Sequence, residues 1–192
     1  MWAEVDGVIR SAVPDGLGGA QIELVSGQTR VMVLLQDAPV AEVLEDWVDS
    51  QAQVRGVYAP VFSSDRQLMG FNLQTPSAEQ VDILQPHLGD TFVSSPRLIH
   101  SLLEYQPEGF PRHQVKVEGR VIYQGMDGLL YVADDSGGIR IEGAGSNTVP
   151  LDSSVQVLGF LSQDHNQPVL EHAQIKPATT ARSDIKPLPS VA

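Results

Sequence analysis

Cysteine is absent from the 192 residues, and with it go disulfides, thiolate nucleophiles and the common zinc sites. No run of about 18 apolar residues occurs, so no segment reads as a membrane-spanning helix. The start Met1-Trp2-Ala3-Glu4-Val5 enters a strand pattern without a signal-peptide layout. Aromatic residues are scarce at 6%, and 12 basic residues face 24 acidic ones, a net charge of −12. A phosphate backbone is attracted by a basic surface studded with aromatics, so this balance disfavours nucleic acid as a partner. The first 86 residues hold four arginines against twelve carboxylates and carry most of the excess.

Catalytic constellations are missing as well. His87, His100, His113, His165 and His172 are scattered, with no spacing that sets two imidazoles on one metal. No Gly-x-Ser-x-Gly elbow appears. Gly16-Leu17-Gly18-Gly19 resembles a phosphate-cradling loop but lacks the following helix and a lysine. Asp134-Asp135 offers carboxylates to a hard cation, yet it also reads as a solvated turn, and Ca²⁺ needs more ligands than these. The sequence therefore assigns no catalytic residue, no metal and no cofactor.

What is present is a repeat. Valine, any residue, glycine, then an apolar residue within two positions recurs at Val5-Asp6-Gly7-Val8, Val54-Arg55-Gly56-Val57, Val117-Glu118-Gly119-Arg120-Val121 and Val157-Leu158-Gly159-Phe160. In the third copy Val115, Val117, Val121 and Tyr123 alternate with polar neighbours, a period of two that reads as a strand with one buried face. A glycine inside such a strand marks a bend, or a place where another backbone passes close. The four copies form two pairs, each with glycines about 40 to 50 residues apart, the first and fourth strands of two similar modules.

Between those strands the pattern predicts Gln21–Val25 and Thr29–Leu35 as a hairpin around Ser26-Gly27-Gln28. A helix follows, with Val40, Val43, Leu44, Trp47 and Val48 at helical spacing and Asp37 as its cap. A last hairpin joins Gln51–Val61 to Gln67–Leu73, and Ala78–Leu84 returns to the module. The second module repeats the order at Gln114–Gln124, Leu129–Ala133, Ile139–Glu142, Ser154–Leu161 and Pro168–Ile175, with a loop or single turn over Gly143–Asp152 in place of the helix. Its turn Asp134–Gly138 places glycines for positive φ.

Strand, hairpin, helix, hairpin is the order of an OB-fold. The expected fold is all-β with a few short helices: two tandem OB-fold-like five-stranded Greek-key barrels. The expected boundaries are barrel 1 at 1–86, a linker with a short helix at 87–112, barrel 2 at 113–178 and a flexible tail at 179–192. In the linker Leu98, Ile99, Leu102 and Leu103 form an apolar stripe expected to pack between modules. Modules this small bury about 60% of their unfolded surface, so each is marginal alone.

The block Val115–Tyr123, then Gly128–Ile139, Val155–Phe160 and Pro168-Val169-Leu170-Glu171, resembles the tandem OB-like extracytoplasmic N-terminal region of bacterial sensor histidine kinases and related signalling receptors. Trp2–Arg10, Val54–Phe62 and Arg66–Gly70 are similar to the preceding module of that region. The resemblance implies a non-enzymatic sensory or interaction region of a two-component receptor, periplasmic as an excised fragment, with any kinase in a further C-terminal part. It carries over no catalytic residue. A cytoplasmic single-strand nucleic-acid module is the alternative. The partner expected is an unidentified small molecule or protein, with membrane contact only through other parts of the parent protein and a homodimer left open.

OB barrels bind on the face of their second and third strands and with the loops joining strands one to two and four to five. That places candidate ligand-binding residues at Tyr123, Gln124, Tyr131 and Arg140, with Gln163, Asp164, His165 and Asn166 in the rim loop of the second module. In the first module it places Arg30, Phe62 and Arg66.

Overall fold

A computed structural model of the chain describes residues 1–87, 89, 91–104, 111–125, 129–143, 149–164 and 167–178. The chain divides into two units, Met1–Gly89 and Asp90–Ala192. Among the described residues no helix is long and apolar enough to cross a membrane.

The first unit contains β1 (Trp2–Pro14), β2 (Ala20–Ser26), β3 (Thr29–Asp37), α1 (Ala41–Trp47), β4 (Gln51–Phe62), β5 (Leu68–Ser77) and β6 (Val81–Gln85). Neighbours run β1-β2-β3-β5-β4, and β4 pairs back onto β1 to close the ring, with β6 added on β4. Every contact is antiparallel except β3 with β5. The second unit holds α2 (Ile99–Leu103), β7 (Val115–Gln124), β8 (Leu130–Asp134), β9 (Gly137–Ile141), β10 (Ser154–Asp164) and β11 (Gln167–Pro177). Its closed barrel runs β7-β8-β9-β11-β10, again with one parallel contact, β9 with β11. The order first, second, third, fifth, fourth is the OB barrel, so the protein is two OB barrels in tandem.

The repeated glycines explain the closure. β1 pairs with β4 from Trp2 to Val8 and with β2 from Val8 to Pro14. β7 pairs with β10 through Val115–Arg120 and with β8 through Arg120–Gln124. In each strand the glycine sits where one partner is exchanged for the next. A Cβ on Gly7 would lie 2.5 Å from the Val25 carbonyl oxygen, and one on Gly119 2.5 Å from that of Ala133. Gly56 meets the Gln74 oxygen at the same distance, whereas Gly159 has 3.1 Å to that of Glu171. None of the four has a positive φ. Close backbone approach, not an unusual dihedral, is what requires glycine here.

Alternation fills both interiors. Ile22, Leu24, Val33, Leu35, Val54 and Leu73 are buried in barrel 1, and Val117, Val121, Val132, Ile139, Ile141 and Val157 in barrel 2. A small barrel is open at its ends and needs a plug. Leu44 of α1 closes barrel 1 and is fully buried. Its N-cap is Val40, with no side-chain cap bond, so Asp37 is not the cap but the last residue of β3.

In barrel 2 the plug comes from upstream. Ile99 and Leu102 are fully buried within the second core, while Leu98 is exposed. The segment before β7 is built onto the same barrel: Arg97 bridges Val117, its N–H donating to the Lys116 carbonyl at 2.8 Å, and Lys116 Nζ donates to the Phe92 carbonyl at 2.7 Å. The stripe expected to pack between modules thus seals the barrel that has no helix of its own in the described ends of 143–152. Residues 105–110, 144–148 and the tail 179–192 lie outside the described residues.

Gly119→Ala is expected to lower the unfolding free energy by about 1–3 kcal/mol, because the carbonyl it strikes is held in the ladder. Gly138→Ala, whose added carbon meets nothing nearer than 3.8 Å, should stay near wild type. Urea midpoints of the two variants make the comparison.

Candidate binding surfaces

In barrel 1 the β4–β5 hairpin outruns its neighbours. β1 leaves β4 at Val57, and β3 leaves β5 at Asn72. Beyond those points Ala59–Phe62 and Leu68–Phe71 pair only with each other, as an arm with two unpaired edges. Val54 and Leu73 face the core, and the same alternation carried outward points Tyr58, Pro60 and Phe62 to one side, with Phe71 opposite Pro60 and Leu68 opposite Phe62. Among the described residues these side chains stay exposed. Tyr58 and Phe71 stack at 4.5 Å and 22° between planes, while Phe62 is 58% and Met69 69% exposed.

The tip is closed. Ser63 N–H donates to the Gln67 carbonyl at 2.8 Å, Arg66 N–H to the Ser63 carbonyl at 3.0 Å, and Gln67 N–H to Ser63 Oγ at 3.2 Å. Arg66 takes a left-handed φ of 60° and is exposed, with no ion pair among the described residues. Other arginines of this barrel are neutralised: Arg30 Nη1 lies 3.1 Å from Glu23, and Arg55 contacts Asp82 and Glu4. Of the three candidates here the fold puts Phe62 and Arg66 on the same hairpin and leaves Arg30 on the β2–β3 hairpin. Tyr58, Leu68, Met69 and Phe71 were not anticipated. Their signal is an apolar alternation continuing past the length a barrel wall needs.

The Gly16–Gly19 loop is turned inward on itself. Asp15 Oδ1 accepts from Leu17 N–H at 2.7 Å and Gly19 N–H at 2.9 Å. The amides a phosphate would use are already bonded to a carboxylate.

In barrel 2, Tyr123 stands opposite Tyr131, and Tyr131 opposite Arg140, a row across β7, β8 and β9. The tyrosine rings meet edge to face at 6.1 Å and 73°. Arg140 Nη2 donates to Asp164 and to Glu142, the latter at 3.0 Å. The hydrogen bond donated to Asp164 is the main cause that raises the guanidinium pKa above its ordinary value, against a burial that lowers it. The candidates Tyr123, Tyr131, Arg140 and Asp164 are therefore assembled, with Glu142 added. Gln124 is not free for a ligand, since its Oε1 accepts from Val149 N–H at 3.1 Å. His165 and Asn166 lie outside the described residues.

Asp134 has a structural task. Its Oδ1 accepts from Ser136 N–H (2.7 Å), Ser136 Oγ (2.5 Å) and Gly137 N–H (2.9 Å), and its Oδ2 from Ile99 N–H (2.9 Å). Ser136 Oγ also accepts from His100 N–H at 3.0 Å. The β8–β9 turn thus holds the first amides of α2, and neither Gly137 nor Gly138 takes the positive φ expected of them. The carboxylate bends this turn, so the glycines need not. Among the described residues no group of three or more His, Asp or Glu side chains is placed to hold a metal ion.

No family model matches the chain, and no curated protein matches it. Solved structures with similar folds include the hypothetical protein ygiW from E. coli, 20% identical, covering 44% of this chain and 91% of that one with a TM-score of 0.37. A murine DNA binding protein bound with ds DNA is 11% identical over 91% of this chain and 97% of its own, TM-score 0.36. The single-stranded DNA binding protein from Thermus aquaticus is 15% identical over 95% of each chain, TM-score 0.27. All three scores lie below one half, and the fold assignment rests on the strand pairings above. One expectation is corrected by these findings: with DNA-binding proteins among the similar structures, the acidic balance does not set nucleic acid aside as a partner.

Asp134→Ala should destabilise the second unit by about 1–3 kcal/mol, the cost of stranding four part-buried donors, whereas Asp135→Ala should have no measurable effect. Thermal unfolding followed by circular dichroism distinguishes them.

Proposed function

We propose that the chain is a non-enzymatic binding module and that barrel 1 holds a single nucleic-acid strand on its β4–β5 arm. The observation that carries this reading is the arm itself. Flat aromatic faces at Tyr58, on the rim of the barrel wall, and at Phe62 and Phe71 beyond it stand exposed, on the hairpin that also carries Arg66, whose guanidinium has no ion pair among the described residues. Bases stack on such faces irrespective of sequence, at about 1–3 kcal/mol per base, and the connection between the fourth and fifth strands is a position OB barrels use for ligands.

The surrounding charge dictates how such binding behaves. Barrel 1 is strongly acidic, so stacking rather than phosphate neutralisation supplies the affinity. With one guanidinium at the contact, log K should fall against log salt with a slope of about −0.7.

A second reading, an extracytoplasmic sensory region of a bacterial receptor, is supported by the resemblance of residues 115–171. There the mechanism would be population shift, a ligand preferring one of two conformations and biasing the signal passed along the chain. The reading frame beyond Ala192 tests it: a membrane span followed by kinase motifs is expected, and their absence would remove it.

For the first reading, anisotropy of a short fluorescein-labelled oligothymidylate should report saturable binding, weakened about tenfold or more by Phe62→Ala or Phe71→Ala with melting temperature unchanged. Equal binding by these variants, or a steep salt slope, would reject the arm as the contact.

A further inference from the structure

The tyrosine row of barrel 2 has a chemistry of its own. Tyr123 is half exposed and meets Tyr131 edge to face. Directly across the ladder from Tyr131 stands Arg140. Both carboxylates that bind Arg140 take the same nitrogen, Nη2, while its Nε is buried and has no hydrogen-bond partner among the described residues. The two carboxylates remain about two-fifths exposed, with side-chain accessibilities of 42% for Glu142 and 39% for Asp164.

Each property narrows what fits. One guanidinium against two carboxylates leaves the patch with a net negative charge, which repels an anion such as a phosphate or a uronate. A bare cation finds no cage among the described residues. An apolar ligand would strip water from the ion pairs without replacing their hydrogen bonds. A neutral molecule that offers hydroxyl groups as both donors and acceptors, with a flat C–H face for the tyrosine ring, meets these conditions. Neighbouring strands are about 4.8 Å apart, so a row over three strands spans ~10 Å, the length of two pyranose rings. We propose that Tyr123, Tyr131 and Arg140, with Glu142 and Asp164, form a binding site for a neutral saccharide. Tyr123 is its stacking platform, and the ion-paired fork exchanges hydrogen bonds with the ring hydroxyls.

This site is on the other barrel from the aromatic arm and does not depend on it. The test uses the full chain and aromatic-region NMR, with cellobiose, maltose and N,N′-diacetylchitobiose as neutral probes and glucuronic acid as the charged counterpart. At least one neutral disaccharide should shift the Tyr123 and Tyr131 ring resonances in a saturable way, and glucuronic acid should not. Tyr123→Ala, at an exposed position, should raise the Kd about tenfold, and Glu142→Gln, which keeps the shape of the fork, should let glucuronic acid bind. Phe62→Ala should leave the titration unchanged. The assignment falls if no neutral disaccharide moves these resonances, if the shifts persist at wild-type affinity in Tyr123→Ala, or if glucuronic acid binds wild type as well as the neutral sugars.

Discussion

A five-stranded barrel closes only if its first and fourth strands turn a corner, and at that corner a neighbouring carbonyl lies where a side chain would start. The Val25 and Ala133 oxygens stand 2.5 Å from the Cβ positions of Gly7 and Gly119, well inside any permitted carbon–oxygen contact. Removing the side chain is the direct remedy, and both barrels use it at the same place, where the strand exchanges one partner for the next. The closed ring, its buried alternating face and its exposed hairpins all follow from that bend.

Closure creates the second requirement, a plug for the open end. Barrel 1 meets it with Leu44, from a helix between the third and fourth strands, and barrel 2 with Ile99 and Leu102, from a helix preceding the first strand. The two solutions differ in chain order and agree in physics, since each puts branched aliphatic side chains over an apolar interior. Barrel 2 needs an extra fastening because its plug does not continue from a wall strand. The Asp134 carboxylate and the Ser136 hydroxyl supply it by accepting the first amides of the short α2.

Surface chemistry then separates two otherwise matching barrels. The first projects an aromatic arm with a free guanidinium from a strongly acidic body; the second keeps its cation locked between carboxylates beside a tyrosine row. Stacking without charge suits one, and neutral hydrogen bonding the other. These are properties of hairpin length and cross-strand register, which vary without disturbing the bend on which the barrel depends.

The architecture was legible in the amino-acid order because it is a matter of local period. Alternation, turn residues and the repeated Val-x-Gly located every barrel strand to within a few residues and implied two barrels, since side chains must face in or out at intervals of two. That Tyr123, Tyr131 and Arg140 belong to one surface was expected from their places at the end of the first strand and on the second and third; their register across the ladder comes from the pairings. Which residues end up beyond the wall was not: Phe62 is a candidate from its place beside the loop between the fourth and fifth strands, while Tyr58 and Phe71 join it only once β1 and β3 are seen to stop short of the hairpin's end. Nor could the sequence show that the upstream helix seals barrel 2, or that Asp134 serves a helix 35 residues away rather than a cation. Those outcomes depend on which distant segments share a volume, and that is decided by packing in three dimensions, not by the order of neighbours along the chain.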